Sequence, residues 1–311
     1  MPDAPPPLRL TVAQLDARLA TFVSEYLKDK SPETRGTYRR TLNEFERYHA
    51  ARAARPSSRF RFVETDVEAY KTYLMEEREL SQVSVSTYLT ALRRLCDYLV
   101  ARGDLAENPA RAVKGNRRPQ SHTRGVLTAA EVEALVEAIP QTTGIGRRDR
   151  ALVALMVFGG LSEVELVRAD VGDVDRTLMG TFLRVQGKGR QSKDESVPLD
   201  PAAVDPLEIY LMEREGASPS APLFVSHGHR SAGTRLNTRS VRGRINTHLR
   251  AAKLKRRGIS PHSLTHTAAL IWLTSGMPVE EVRRRMRHGT LETTMISFKK
   301  QGLLKADAGD E

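Results

Sequence analysis

The apolar positions of this chain follow a helical period over most of its length and alternate only briefly. In "TVAQLDARLATFVSEYLKDK" and "SPETRGTYRRTLNEFERYHAARA" they recur three and four apart, with Ser31 as N-cap and Pro32 at the first helical position of the second stretch. Beyond the loop "ARPSSRFRF", the segments "ETDVEAYKTYLMEERE" and "SQVSVSTYLTALRRLCDYLVARG" keep the same period. Residues 11–107 are therefore predicted to form a four-helix unit, behind a Pro-rich, disordered start at 1–10.

The period stops at Asn108. "NPARAVKGNRRPQSHTRG" carries five basic residues (Arg111, Lys114, Arg117, Arg118 and Arg124), no acid and two prolines, and reads as a basic linker over 108–125. A second unit, 126–300, opens on "LTAAEVEALVEAIP" with a capping box from Thr128 to Glu131, and continues with a buried helix in "RDRALVALMVFGGL" that ends at a glycine pair. "GTFLRVQG" and "ESVPLD" are short β-like runs around the polar turn "KGRQSKD", which predicts a hairpin with Lys188 at its bend. Four further helices follow in "PAAVDPLEIYLMEREG", "NTRSVRGRINTHLRAAKL", "SPHSLTHTAALIWLTSG" and "PVEEVRRRMRHG", and 301–311 is a short tail. The fold class is mostly α with a small β-hairpin or sheet, an α+β chain in two domains.

Composition narrows the function. With 40% hydrophobic and 28% charged residues in 311, the chain is of folded, globular type. Lys and Arg exceed Asp and Glu by 11, which favours a polyanionic partner, double-stranded DNA first. The lone Cys96 excludes an intrachain disulfide and a cysteine-based zinc finger, and it is expected in the core. The longest clean apolar run, "ALVALMVF" at 151–158, is too short to span a bilayer, so no membrane partner is expected and the location is cytoplasmic, with the nucleoid.

In "PHSLTHT", His262 and His266 stand four apart on one helical face. Such a pair suits a metal site, proton transfer, a phosphate contact or plain solvation. Between residues 250 and 300, 11 basic residues face three glutamates. That positive field works against a divalent cation and favours imidazoles that donate to phosphate oxygens. No metal or other cofactor is expected.

The order and spacing of "VSTYLTALRRLCDYLVARGDLAENPARAV", "GVLTAAEVEALVEA", "GLSEVELVRADVGDVD", "VQGKGRQSKDESVPL" and "SPHSLTHTAALIWLTSGMPVEEVRRRMRHGTLETT" resemble the tyrosine recombinase, or phage integrase, family over nearly the whole chain. The resemblance implies a two-domain DNA clamp, a core-binding unit followed by a catalytic one. It also implies a chemistry in which a tyrosine attacks a DNA phosphodiester while two arginines, a lysine and two histidines stabilise charge and move protons. On this pattern Lys188, His262 and His288 keep the lysine and histidine roles. Ser162 and Thr265 stand where the arginines belong, Ser297 stands where the tyrosine belongs, and Arg287 replaces a glycine.

No tyrosine follows Tyr210, so a slip in register does not restore the nucleophile. A serine hydroxyl is shorter and far less acidic than a phenol with its pKa of about 10. The resemblance therefore implies a protein that binds DNA but has lost strand cleavage. Expected contacts are Arg35, Arg39, Arg40, Arg93, Arg94, Arg111, Lys114, Arg117 and Arg118, with Lys188, His262 and His288 at the pocket. His266 is expected to be buried and bonded to a neighbour. A homo-oligomer, or assembly with active relatives, is the expected quaternary setting. The rival readings are a divergent recombinase or nuclease using Ser297 or completed by a partner, and a protein scaffold, which leaves the charge unexplained.

Overall fold

The structure is a computed structural model, and it describes residues 7–30, 32–54, 59–115, 125–187 and 190–288. The chain divides into two compact units, Met1–Ser121 and His122–Glu311. Ser31, Arg117, Arg118, Lys188, Ser297, the start at 1–6 and the tail at 301–311 lie outside the described residues.

In the first unit, α1 (Val12–Thr21) runs into a π-helical turn (Phe22–Tyr26), followed by α2 (Pro32–Ala53), α3 (Glu64–Glu76) and α4 (Gln82–Ala101). Thr11 and Gln14 close a capping box at the start of α1, each side chain accepting from the other's backbone N–H. The apolar faces meet in a core of Leu15, Phe22, Phe45, Tyr70, Leu89, Leu92 and Cys96. Burial pushes the Cys96 thiol up to about 12, so it acts as a small apolar group.

Residues 108–113, read from the sequence as the start of the linker, are instead part of this core layer. Ala110 and Val113 are buried, and Arg93 donates from Nε to the Ala110 carbonyl (2.9 Å) and from Nη2 to that of Val113 (2.6 Å). Asn108 Nδ2 donates to the Arg93 carbonyl (2.9 Å) and to Asp97 (2.7 Å). Two apolar contacts within polar brackets leave no period to read.

The second unit starts with α5 (Ala129–Glu137), capped by Thr128 and Glu131 as their spacing predicts. Its centre is α6 (Gly144–Val157), in which every residue from Ala151 to Val157 is buried. Around it lie the short α7 (Glu163–Arg168), α8 (Pro201–Met212), α9 (Thr238–Ala251), α10 (Pro261–Thr274) and α11 (Val279–Arg285). The predicted hairpin is β2 (Gly180–Val185) with β3 (Glu195–Pro198), antiparallel, with Leu183 opposite Val197. A third strand, β1 (Val174–Thr177), pairs with the other edge of β2. Lys193, between β2 and β3, is bonded to both Asp170 and Asp173, which ties the hairpin to the 3₁₀ turn Val171–Asp173.

A buried charge cluster joins α6 to α9. Asp149 accepts from Arg148 (2.6 Å) and Arg244 (2.7 Å) and lies 2.8 Å from His248 Nε2. Burial acts to raise the Asp149 pKa, but His248 and the two arginines outweigh it and hold it below the usual range. Among the described residues no helix is long and apolar enough to cross a membrane.

Candidate functional site

The chain leaves α6 through Gly159 and Gly160. Gly160 has φ +61°, and a Cβ there would lie 2.6 Å from the Trp272 ring, so close packing of α10 on this turn requires glycine. Ser162 then caps α7. Its backbone N–H and its hydroxyl both donate to Glu165 Oε2, at 2.7 and 2.8 Å.

α10 crosses the same turn. Thr265 is buried, and its hydroxyl donates to the Leu161 carbonyl at 3.1 Å. His262, in the first turn of α10, and His266, one turn later, are both half-buried, and their rings meet edge to face with centroids 4.7 Å apart. His266, expected as a buried residue, is therefore partly open and packed on His262.

α11 brings in the third segment of the site. Val282 and Met286 pack on Ala268, Ala269 and Trp272 of α10, and the chain turns out at Arg287 and His288. Arg283 Nη1 donates to the His288 carbonyl at 2.9 Å. His288 is held below the ordinary histidine value of 6.5 by burial first, then by the positive charges of Arg287, His262 and Arg283. The imidazoles of His262 and His288 thus belong to one electrostatic cluster.

Arg287, which the sequence marks only as a replacement for the family's glycine and as one of four arginines able to stand in for the missing charge, is bonded on every side. Its Nε donates to Glu165 Oε1 at 2.5 Å, and its Nη2 donates to Glu165 Oε2 and to the Gly160 carbonyl, each at 2.9 Å. Nη1 donates to the Arg285 carbonyl. Its backbone is left-handed, φ +55°, a conformation disfavoured by about 1–2 kcal/mol outside glycine. The signal was in the sequence: an arginine where the resemblance predicts glycine.

Four predicted positions, Ser162, His262, Thr265 and His288, are therefore gathered from three separate segments. Of the hairpin, Gly187 is held at the end of α7, where its carbonyl accepts from Arg168 at 3.4 Å. Arg287 is the guanidinium at the site, beside the imidazoles of His262 and His288, while the hydroxyls of Ser162 and Thr265 are bonded to Glu165 and to the Leu161 carbonyl. Among the described residues no cluster of three or more His, Cys, Asp or Glu could hold a metal ion.

In the first unit, Arg35, Arg39 and Arg40 are exposed on α2, the first two edging a groove that also carries Asp16 and Glu46. Arg94 and Arg111 both pair with Asp97, at 3.6 and 2.9 Å, but stay 56% and 72% exposed, which leaves them open to a further anion. Lys114 is exposed. Arg93, expected among these surface cations, is committed through its two carbonyl bonds to holding residues 110–113.

Comparison with known proteins agrees with this architecture. Residues 125–301 match the model of the phage integrase family, and residues 17–115 match that of the phage integrase SAM-like domain. The chain is 30% identical to the tyrosine recombinase XerC of Pelobacter propionicus over 268 residues, which cover 86% of this chain and 84% of the relative. It is also 30% identical to XerC of Myxococcus xanthus over 275 residues, 86% and 87% of the two chains. Among solved structures it is similar to XerH recombinase in a post-cleavage complex with its difH substrate (TM-score 0.70, 18% identity, 94% of this chain and 83% of that one). It is likewise similar to a lambda integrase dimer bound to a core site (TM-score 0.71, 15% identity, 98% and 81%). With a family model spanning the second unit and relatives matched along most of both chains, the chain belongs to the phage integrase family.

Proposed function

We propose that this protein binds duplex DNA and takes part in DNA recombination without itself cutting and rejoining strands. One observation carries the reading: Ser162 and Thr265 place hydroxyls, each bonded within the fold, where the chemistry of this family calls for charge. A phosphodiester gains negative charge as it is attacked. Losing one preorganised donor typically costs about 10² to 10³ in rate, so losing two costs about 10⁴ to 10⁶ if their effects simply multiply. Ser297, outside the described residues, adds a nucleophile that is too short and too weakly acidic.

The net charge of +11 and the exposed Arg35, Arg39, Arg40, Arg94, Arg111 and Lys114 support duplex DNA as the partner, with Arg117, Arg118 and Lys188 of the undescribed segments as further contacts. Half-buried His262 and His288 suit donation to a phosphate oxygen. The relatives are recombinases, and the lambda integrase neighbour is a dimer on its site, which supports action in an oligomer on cytoplasmic, nucleoid DNA. The protein then regulates, bridges or completes assemblies of active relatives.

Titration of binding to a fluorescent duplex against salt tests this reading. Neutralising six or more phosphates gives log K a slope against log salt of about −5 or steeper. A slope near zero, or no binding at low salt, removes the proposal.

A further inference from the structure

We infer that Arg287 is an anion-binding residue of this pocket, offering from the end of α11 a guanidinium that helps hold a DNA phosphate beside Ser162 without replacing the charge that strand cleavage requires. The inference rests on the DNA-binding reading above and deepens it.

Glu165 sets the electrostatics of the pocket. Its carboxylate is almost enclosed, with a side chain 5% exposed, and it is paired with Arg287, whose charge in turn acts on His288. Alone, it would be a buried anion where another anion must enter, which is costly to the fold and repulsive to DNA. Ser162 gives it two neutral donors. Arg287 gives it a charge, through the paired geometry that planar guanidinium and carboxylate groups favour. Ser162 Oγ and Arg287 Nη2 share one oxygen, Glu165 Oε2, so the guanidinium stands immediately beside the Ser162 side chain.

Arg287 follows Met286, which is anchored on Trp272, and precedes His288, so its guanidinium moves with the imidazole that shares the pocket. Nε, both hydrogens of Nη2 and one of Nη1 are taken up inside the protein. Of the five hydrogens of the guanidinium these bonds engage four, and the fifth, on Nη1, is the one here assigned to a phosphate oxygen. The left-handed backbone at 287 is retained for a residue that glycine would relieve.

Duplex binding by Arg287→Gly, Arg287→Gly/Ser162→Arg and Glu165→Gln, each measured well below its own Tm, tests the inference. Arg287→Gly should bind about tenfold more weakly at 0.1 M salt, with a salt slope shallower by about one. Adding Ser162→Arg should restore both, because the new guanidinium grows beside the same carboxylate. Glu165→Gln keeps Arg287 and removes its counter-charge, so it should bind more tightly and with a steeper slope even while it lowers Tm. A purely internal latch would not strengthen DNA binding. Variants that alter only Tm, with affinity within twofold of the parent, overturn the inference. So does an affinity loss in Arg287→Gly that Ser162→Arg leaves uncorrected. If the parent chain itself binds no duplex, the functional reading fails first and this inference fails with it.

Discussion

Arg287 and Glu165 are 122 positions apart in sequence and lie face to face in the fold, Nε to Oε1 2.5 Å and Nη2 to Oε2 2.9 Å. The pair closes the end of α11 onto the start of α7, with side chains 9% and 5% exposed. Removing one partner of an enclosed ion pair usually destabilises by about 3–5 kcal/mol. Glu165→Ala should therefore lower the Tm of the second unit by roughly 10 °C in scanning calorimetry. A shift of a degree or two would mean that the pair contributes little to the fold.

A larger charge cluster makes a separate prediction. Asp149 is 1% exposed and bonded to Arg148, Arg244 and His248. Asp149→Ala strands two guanidinium groups, and urea unfolding should show a loss of about 3–5 kcal/mol confined to the second unit. Asp149→Asn, which keeps the acceptor, should cost less. Equal losses would show that the carboxylate charge, and not the acceptor oxygen alone, accounts for the cluster.

The titration of His288 sets a pH dependence. Its folded pKa lies below the ordinary 6.5, so between those two values the unfolded chain binds more protons than the folded one. Its contribution to stability is complete above about pH 6.5 and is lost as pH falls through the folded value. A DNA phosphate beside the ring acts in the opposite sense, stabilising the imidazolium against the repulsion of Arg287, His262 and Arg283. Duplex affinity should rise as pH falls from 7.5 to 6, with proton uptake on binding. His288→Gln should flatten that rise, and an undiminished pH dependence in this variant would assign the proton elsewhere.

The long helices and the hairpin were legible because each presents one continuous apolar face to one core. Thr128 with Glu131 announced a helix start, and His262 and His288 announced a pocket, because chemistry of this kind is carried by residue type and spacing. What stayed hidden has physical reasons. β1 buries only Val174, so it shows no alternation, and α7 is too short for a period. Arg93 reads as a surface cation, and Arg287 as a bare replacement for glycine, since sequence gives charge but not the carbonyl or carboxylate that meets it. Residues 108–113 read as linker because polar side chains, rather than an apolar stripe, hold them to the first core.

The family assignment makes engineered cleavage a graded test. Ser297→Tyr alone should leave DNA intact, because a phenol next to an unstabilised phosphate gains little. The triple change Ser162→Arg, Thr265→Arg, Ser297→Tyr supplies nucleophile and charge together. Each tenfold recovered corresponds to about 1.4 kcal/mol of transition-state stabilisation. Detectable cleavage by the single variant, equal to that of the triple, would show that the substituted arginine positions do not limit the chemistry.

The most direct measurement uses the unmodified chain and a nicked suicide duplex, whose short fragment diffuses away once a strand is cut and so traps any covalent intermediate. Denaturing electrophoresis after incubation should show free protein and intact DNA, although the same mixture binds under native conditions. A covalent protein–DNA adduct that Ser297→Ala abolishes would contradict the account and make Ser297 a nucleophile.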